Sequence, residues 1–287
     1  MSDRCPGVVA AALVPGSPHL LAGDPAPSWK DLAAAVEQVG DRFRAAGVEA
    51  LVLLSTQWFT VLGHQFQLDP NPQGRRIDEN WYGYDFGHLD YDLRVDIELT
   101  RAWLASAERE GLQTRETRYD GFPIDTGTVV TARLLDPGRR MPLALVSCNL
   151  YAEVAALATL GATAVAAAAE TGRRVGVVAV TGLSAGLLQH WISPGEDVIS
   201  SQEHDRWNRR VLGLLTEGRL AEALALREQF AREALADSQF RALAFLAGTG
   251  AVDGPAELLS YGPVWGTGAA VLSWTPDLRA PRAPGEQ

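Results

Sequence analysis

The sequence predicts an α/β protein in which a central, mostly parallel sheet is flanked by helices. Two observations lead to this prediction: apolar runs long enough for buried strands recur along the 287 residues, and helical patterns separate them. Continuous apolar strands are typical of sheets covered on both faces, and alternation with helices is typical of parallel connections. Because the chain shows no internal repeat and no linker with a shift in composition, we expect one domain over residues 1–275.

The individual elements follow from local patterns. The predicted strands cover residues 8–14, 51–55, 143–147, 175–180, 258–261 and 269–274. The predicted helices cover residues 28–46, 151–171 and the region 200–246. Ser28 is the expected N-cap of the first helix, because its hydroxyl can accept from an unsatisfied backbone N–H, and Gly47 is the expected stop. Asp125 is likewise the expected N-cap of a further helix, which outweighs an active-site role for it or for Asp120.

Two segments do not follow this alternation of strands and helices. Residues 65–93 are rich in Asp, Asn, Gly, Pro and aromatic residues without a helical period, and we expect a long excursion that serves function or contacts a partner. Trp81 and Tyr82 within it are predicted interface residues, since Trp and Tyr are enriched at the centres of interfaces. The tail 276–287 contains three prolines and is predicted to be disordered.

Composition excludes several classes of function. The formal net charge of −10 argues against nucleic-acid binding, which needs a basic surface. The apolar residues 8–14 lack a preceding basic region, and Glu153 and Glu170 bracket the Ala-rich segment, so neither a signal peptide nor a membrane span is expected. Cys5 and Cys148 are too few for a disulfide framework or a zinc site, which indicates a reducing, cytoplasmic setting.

Gln57 is the most informative residue of the chain. It lies in Ser55-Thr56-Gln57-Trp58, at the end of an apolar strand. The carboxyl ends of strands in an open α/β sheet are where ligands and metals usually bind. Glutamine at such a position offers a metal only a weak, neutral oxygen.

Seven motifs in order along most of the chain indicate a known family. They are Leu-Val-Pro-Gly (13–16), Ser-Thr-Gln-Trp (55–58), Asp-Glu-Asn-Trp-Tyr (78–82), Tyr-Asp-Gly-Phe-Pro-Ile-Asp-Thr-Gly-Thr (119–128), Gly-Leu-Ser (182–184), Asp-Arg-Trp-Asn-Arg-Arg-Val-Leu (205–212), and Tyr-Gly-Pro (261–263) with Gly-Thr-Gly-Ala-Ala-Val (266–271). With these motifs the chain resembles the class III extradiol ring-cleavage dioxygenases. Within that family it is most similar to the metal-free alpha-type subunits of aminophenol-cleaving enzymes.

The resemblance implies a catalytic centre that this chain lacks. Active members hold Fe(II) with two histidines and one carboxylate, and a further histidine moves a proton. Carried over by motif, the two histidine ligands fall on Gly16 and Gln57 and the acid/base histidine on Ala185. The carboxylate falls near Asp237, in the region predicted to be helical. The resemblance therefore implies no catalytic and no metal-binding residue in this chain. It implies a related beta-type subunit that carries the Fe(II), and a small aromatic substrate bound through that partner.

Two other hypotheses remain open from the sequence. The first is a self-sufficient dioxygenase with a rearranged metal set of His19, His64 and Asp237. The second is a pseudoenzyme that binds a small aromatic molecule for regulation. Either would use the same vestigial pocket, formed by Gly16, His19, Gln57, His64, Ala185 and Asp237.

Overall fold

The computed structural model describes residues 6–77 and 88–275. Its strands are β1 (Gly7–Val14), β2 (Ala50–Thr60), β3 (His64–Gln67), β4 (Gln73–Ile77), β5 (His88–Asp92), β6 (Thr114–Thr117), β7 (Leu143–Asn149), β8 (Arg174–Val180), β9 (Glu257–Val264) and β10 (Thr267–Trp274). Its helices are α1 (Pro27–Ala45), α2 (Ile97–Arg109), α3 (Thr126–Leu135), α4 (Val154–Glu170), α5 (Gln202–Thr216), α6 (Leu220–Ala225), α7 (Arg227–Glu233) and α8 (Arg241–Gly248). Trp81, Tyr82 and the tail 276–287 lie outside the described residues, so the predictions made for them stay predictions.

Eight of the strands form one sheet in the order β6-β3-β7-β2-β8-β1-β10-β9. The four central strands β7, β2, β8 and β1 run parallel to one another. Strands β10 and β9 add an antiparallel hairpin on one side, and β3 pairs antiparallel with β7 on the other. The mostly parallel sheet predicted from the apolar runs is confirmed.

The central strands are apolar throughout because helices cover both of their faces. Successive residues of β2 point alternately to opposite sides of the sheet. Val52 and Leu54 belong to a core cluster with residues of α2, α4, α5 and α8, whereas Leu51 and Leu53 belong to a second cluster with α1 and α3. This packing on two sides explains why β2 has no polar face before Ser55.

Two details differ from the sequence predictions. Helix α1 begins at Pro27 with Ala26 at the N-cap, and the hydroxyl of Ser28 instead donates to the carbonyl oxygen of Pro263 at 3.0 Å. The prediction of Ser28 as N-cap is therefore wrong. The excursion over residues 65–93 contains regular structure, since β3 joins the main sheet and β4 and β5 pair with each other in a separate two-stranded sheet.

The carboxyl ends of the parallel strands meet at one edge of the sheet. Strands β1, β2, β7 and β8 end at Val14, Thr60, Asn149 and Val180, and the segments that follow them converge there. None of the helices in the described ranges is both long and apolar enough to cross a membrane.

Candidate functional site

A cleft of about 300 Å³ opens at the carboxyl edge of the sheet. Five of the six sequence-predicted pocket positions line it: Gly16, His19, Gln57, Ala185 and Asp237. The segments after β1 and β8 and the end of β2 supply four of these positions, and a left-handed turn before α8 supplies Asp237. The motif positions, dispersed over 220 residues of sequence, therefore lie around one cavity.

Gly16 has no space for a side chain. A Cβ at this position would lie 2.5 Å from the Cα of Gly127 and 2.5 Å from Cγ1 of Val180. Gly127 belongs to the first turn of α3 and is itself constrained, because its own Cβ would lie 3.0 Å from Cδ of Gln57. The start of α3 thus occupies the space into which a side chain at position 16 would project.

Gln57 is held by hydrogen bonds of both its side chain and its backbone. Its amide Nε2 donates to the carbonyl oxygen of Gly16 at 3.0 Å, and its backbone N–H donates to the hydroxyl oxygen of Ser55 at 3.2 Å. That hydroxyl in turn donates to Oδ1 of Asp125 at 2.6 Å. Asp125 also accepts from the N–H of Thr128 at 2.9 Å, which confirms it as the N-cap of α3. This polar chain ties the end of β2 to the start of α3.

The carboxylate of Asp237 is surrounded by donors from the protein. Its Oδ2 accepts from the hydroxyls of Thr56 at 2.8 Å and Thr181 at 3.1 Å, and from the N–H of Gly182 at 2.8 Å. Its Oδ1 accepts from the hydroxyl of Ser238 at 3.0 Å. Hydrogen bonds to a charged acceptor are among the strong ones in proteins. Asp237 therefore links the ends of β2 and β8 to the chain before α8.

The backbone around Asp237 is strained. Leu235, Ser238, Gln239 and Phe240 have φ values of 51°, 45°, 56° and 53°, in a region that residues other than glycine rarely adopt. Two nearly buried arginines hold it, since Arg227 donates to the carbonyl oxygen of Gln239 at 2.7 Å and Arg241 to that of Ser238 at 3.2 Å. Such strain persists only where surrounding contacts fix it.

The segment after β8 is fixed against the same turn. The N–H of Asp237 donates to the carbonyl oxygen of Leu183 at 2.8 Å, and the N–H of Ala185 donates to that of Leu235 at 3.0 Å. The methyl group of Ala185 thus stands at the cleft in a defined place, although it can neither bind a metal nor move a proton.

Asn208 is a residue of this site that the sequence predictions did not single out. Its Oδ1 accepts from the N–H of Ser184 at 3.1 Å, and its Nδ2 donates to the hydroxyl oxygen of Ser184 at 2.9 Å. A Cβ at Gly268 would lie 2.1 Å from that Nδ2. The motifs around 184, 208 and 268 are therefore joined by one buried contact, which only the three-dimensional arrangement reveals.

His19 lines the cleft and packs against two tryptophans, of which Trp265 also lines it. Its side chain is only 2% exposed, and its ring lies edge-on to Trp29 at 4.7 Å and tilted against Trp265 at 5.5 Å between centroids. The hydroxyl of Ser17 lies 2.8 Å from Nδ1. Burial lowers the pKa of His19 to about 4, so the imidazole is neutral near pH 7.

Asp197 holds the tryptophans in place. Its carboxylate accepts from Nε1 of Trp29 at 2.7 Å, from the N–H of Trp265 at 2.7 Å and from the N–H of Gly266 at 2.9 Å. Trp265 and Gly266, with φ values of 51° and 81°, form the turn between β9 and β10. Glycine adopts such a φ without a steric penalty, so Gly266 allows the tight turn.

His64 lies in β3 and is not among the residues that line the cleft. Its Nδ1 lies 3.5 Å from the carbonyl oxygen of Ser147, and burial lowers its pKa more than this contact raises it. Over residues 6–77 and 88–275, no three His, Cys, Asp or Glu side chains form a group that could hold a metal ion. The structure therefore does not bring His19, His64 and Asp237 together as the rearranged set would require.

The residues at the family's ligand positions do not fit Fe(II). Gly16 offers no donor atom and no room for one, and the amide of Gln57 is bonded to the Gly16 carbonyl. Asp237 uses Oδ2 for three donors of the protein itself. An open Fe(II) site needs two imidazoles beside its carboxylate. We therefore derive no catalytic step through iron in this chain.

Comparison with known proteins agrees with this description of the fold and of the motifs. The sequence matches the family described as the catalytic LigB subunit of aromatic ring-opening dioxygenase over residues 11–272. It is 35% identical over 272 residues to the 2-aminophenol 1,6-dioxygenase alpha subunit of Pseudomonas sp, an alignment that covers 93% of this chain and 99% of the relative. It is 28% identical over 289 residues to the beta subunit of that name, also from Pseudomonas sp, with 93% of each chain covered.

Among solved structures, an uncharacterized protein, JW3007, from Escherichia coli K12 has a similar fold. The TM-score is 0.64, with 92% of this chain and 99% of that chain covered. At 14% sequence identity this likeness concerns the fold alone.

Proposed function

We propose a role for this chain that starts from its family: it belongs to the LigB family of aromatic ring-opening dioxygenases. The role is that of a non-catalytic, alpha-type subunit of an extradiol dioxygenase. In this proposal it supports a related, beta-type subunit that carries Fe(II) and cleaves an aminophenol- or catechol-like ring. We further propose that the complex works in the cytoplasm, in keeping with a chain that has only two cysteines.

One observation supports the proposal. At each position where the family has a metal ligand, the residue of this chain packs against or hydrogen-bonds to another part of the fold. Gly127 fills the space beside Gly16, and the side chain of Gln57 donates a hydrogen bond to the carbonyl oxygen of Gly16. The carboxylate of Asp237 accepts hydrogen bonds from Thr56, Thr181 and Gly182. A chain that had merely lost its histidines would leave an open site. Here the same positions join the ends of strands to α3 and to the turn before α8. Such contacts fix the shape of the chain, and a fixed shape is what a structural subunit contributes.

The relatives support the choice of partner. One is named as an alpha subunit and one as a beta subunit of 2-aminophenol 1,6-dioxygenase, and both match nearly the whole chain. A partner with the same fold is therefore the natural candidate for the second subunit. The substrate of the complex would be of the aminophenol or the related catechol class, since both relatives are named as subunits of 2-aminophenol 1,6-dioxygenase.

The test is the iron content of the chain alone and of the complex. The purified chain is treated anaerobically with excess Fe(II), and iron is measured after gel filtration. We expect less than about a tenth of an equivalent, because neither Gly16 nor Gln57 can replace an imidazole. The chain co-expressed with a histidine-bearing LigB-family chain from the same genome should form a complex that carries iron and takes up oxygen with 2-aminophenol or catechol.

The opposite result would assign the activity to this chain. Near one equivalent of iron in the isolated chain, lost on His19→Ala or His64→Ala, would establish the rearranged metal set and reject the proposal. The variant His190→Ala is the matched control, since this exposed histidine lies outside the residues that line the cleft.

A second candidate function rests on the cleft itself. Its volume of about 300 Å³ accommodates a single aromatic ring, and Trp265 supplies an aromatic wall. On this basis the chain would bind a small aromatic molecule without turnover and without a catalytic partner. Quenching of tryptophan fluorescence by catechol in the isolated chain, with no partner recovered by co-expression, would favour this function over the first.

A further inference from the structure

We infer that an exposed apolar surface beside the cleft is the docking surface for the iron-bearing, related subunit. The surface consists of Trp58, Phe59, Val61, Leu62, Tyr119 and Phe122, and is called the Phe59 surface below. This inference rests on the proposed function and deepens it, because it assigns the place at which the two subunits meet.

The Phe59 surface concentrates apolar groups that a folded chain normally buries. Phe59, Val61, Leu62 and Tyr119 are 60%, 53%, 64% and 65% exposed. Phe59, Val61 and Leu62 line a groove of about 390 Å³ together with Trp58 and Phe122. The ring centroids of Trp58 and Phe122 are 6.0 Å apart and those of Tyr119 and Phe122 are 6.3 Å apart, so the surface is continuous. Contiguous exposed apolar patches mark interaction sites more often than isolated apolar residues do.

The surface is presented by a well-fixed turn between β2 and β3. Gly63 adopts a φ of +67° there, and a Cβ on it would lie 2.7 Å from the carbonyl oxygen of Gln113. The hydroxyl of Thr60 donates to the carbonyl oxygen of Gly63 at 2.8 Å, and the N–H of His64 donates to that of Gln113 at 2.8 Å. A fixed surface costs less conformational entropy on association than a loose loop would.

Size and surroundings match the centre of a protein interface. At about 150–250 Å² for each aromatic side chain, Phe59 and Tyr119, which are 60% and 65% exposed, together present roughly 200–300 Å². A standard interface buries about 800 Å² on each partner, so these two rings would supply roughly a third of one side, and Val61 and Leu62 would add to it. Arg115 lines the groove, and the exposed Arg118 and Asp120 flank Tyr119 in sequence. An apolar, aromatic centre with a charged rim is the usual composition of such interfaces.

The occupant we infer is a subunit of the same fold. The chain matches both the alpha and the beta subunit of one named enzyme over 93% of its length. Two chains of one fold can pair about an approximate two-fold axis, in which each presents the same region to the other. Trp58 adjoins Gln57 in β2, so contact at the Phe59 surface would take place at the edge of the sheet that contains the cleft.

The test is co-purification with a double variant. The full chain is co-expressed with a histidine-bearing LigB-family chain from the same genome, and the amount and stoichiometry of the complex are measured by gel filtration with light scattering. We expect Phe59→Ser/Leu62→Ser to weaken the pairing at least tenfold, because truncation of residues at an interface centre has effects of this size. Val198→Ser is the matched control, since Val198 is equally exposed, at 61%, and lies outside the Phe59 surface.

The outcomes separate the inference from the function on which it rests. Loss of pairing in the double variant, with an unchanged circular dichroism spectrum and melting temperature, supports the docking surface. Pairing that survives the double variant overturns it and leaves the proposed function in place. Failure of the unaltered chain to pair overturns both. Separation of a homodimer of this chain by the double variant, with pairing to the relative unaffected, would assign the surface to self-association and also overturn the inference.

Discussion

Oγ1 of Thr56 lies 2.8 Å from Oδ2 of Asp237, so a hydroxyl at the end of β2 donates to the carboxylate that the family resemblance places among metal ligands. Thr181 and Gly182, the two residues that follow β8, donate to the same oxygen. The carboxylate thus has a structural role that does not depend on a metal.

Replacement of Asp237 by Asn should destabilise the chain. The neutral amide weakens three charge-assisted hydrogen bonds around a strained turn, and we expect the free energy of unfolding to fall by about 2–3 kcal/mol. Urea denaturation of the chain measures this, with Asp253→Asn, an exposed carboxylate, as the control. Thr56→Val in both backgrounds gives a double-mutant cycle. A coupling near zero would show that the contact contributes nothing.

Replacement of Gly16 by Ala should also destabilise the chain. The added methyl group meets the backbone of Gly127 and the side chain of Val180 at 2.5 Å, and overpacking of this kind usually costs about 1–3 kcal/mol. Gly23→Ala is the matched control, because a Cβ there has nothing within 4 Å. Equal stability of the two variants in urea would mean that the space at Gly16 is not closed.

His19 should make stability depend on pH. Burial holds its folded-state pKa at about 4, below the ordinary value of 6.5, so the unfolded chain binds a proton more readily between these two pH values. The neutral imidazole has its full stabilising effect above pH 6.5, and stability is lost as pH falls toward 4. The loss amounts to about 3 kcal/mol for a shift of this size.

The measurement compares unfolding free energies of the chain and of His19→Gln between pH 7.5 and 4. The variant should lose less stability over this range. His190→Gln, which alters an exposed histidine, should retain the full loss. Burial also lowers the pKa of His64 and acts in the same direction, so the difference between the chain and His19→Gln isolates His19. Parallel curves would contradict the assignment.

Cys148 should be unreactive in the native chain. It is fully buried, and burial, followed by the charge of Asp237, raises the pKa of its thiol from an ordinary value of 9.0 to about 12. The thiolate is the reactive form, so its population falls about a thousandfold. In a Cys5→Ser background, an aromatic disulfide reagent at pH 8 should label the thiol only after denaturant is added. Rapid labelling without denaturant would show that the core beneath Asp237 opens easily.

The sequence was most informative where strands are buried on both faces. The continuous apolar runs of β1, β2, β7 and β8 have few other interpretations, and their order along the chain predicts the parallel core. Strand β3 was missed because His64, Gln65 and Gln67 carry no apolar pattern, and its burial comes from neighbours far away in sequence. The N-cap at Ser28 failed for a related reason, since Pro263, 235 residues away, offers its hydroxyl an acceptor.

The candidate site was predictable as a set of positions, but its contacts were not. The family resemblance implied Gly16, Gln57, Ala185 and the neighbourhood of Asp237 as positions of one pocket, and these four residues line the cleft. Nothing in the motifs indicated that Gly127 closes the space at Gly16 or that Asn208 joins Ser184 to the strand of Gly268. These contacts depend on backbone approach to within a few tenths of an ångström, which a local pattern does not encode.

The packing of Gly16 against Gly127 also limits how this chain could change over evolutionary time. A larger side chain at position 16 requires α3 to begin elsewhere, and Asp125 ties that beginning to Ser55 in β2. A single substitution that introduces a larger side chain here would therefore lower stability before it could give any affinity for a metal, in an interior packed too densely to yield at one point. Further change of this chain is therefore easier at positions whose side chains have open space than at position 16.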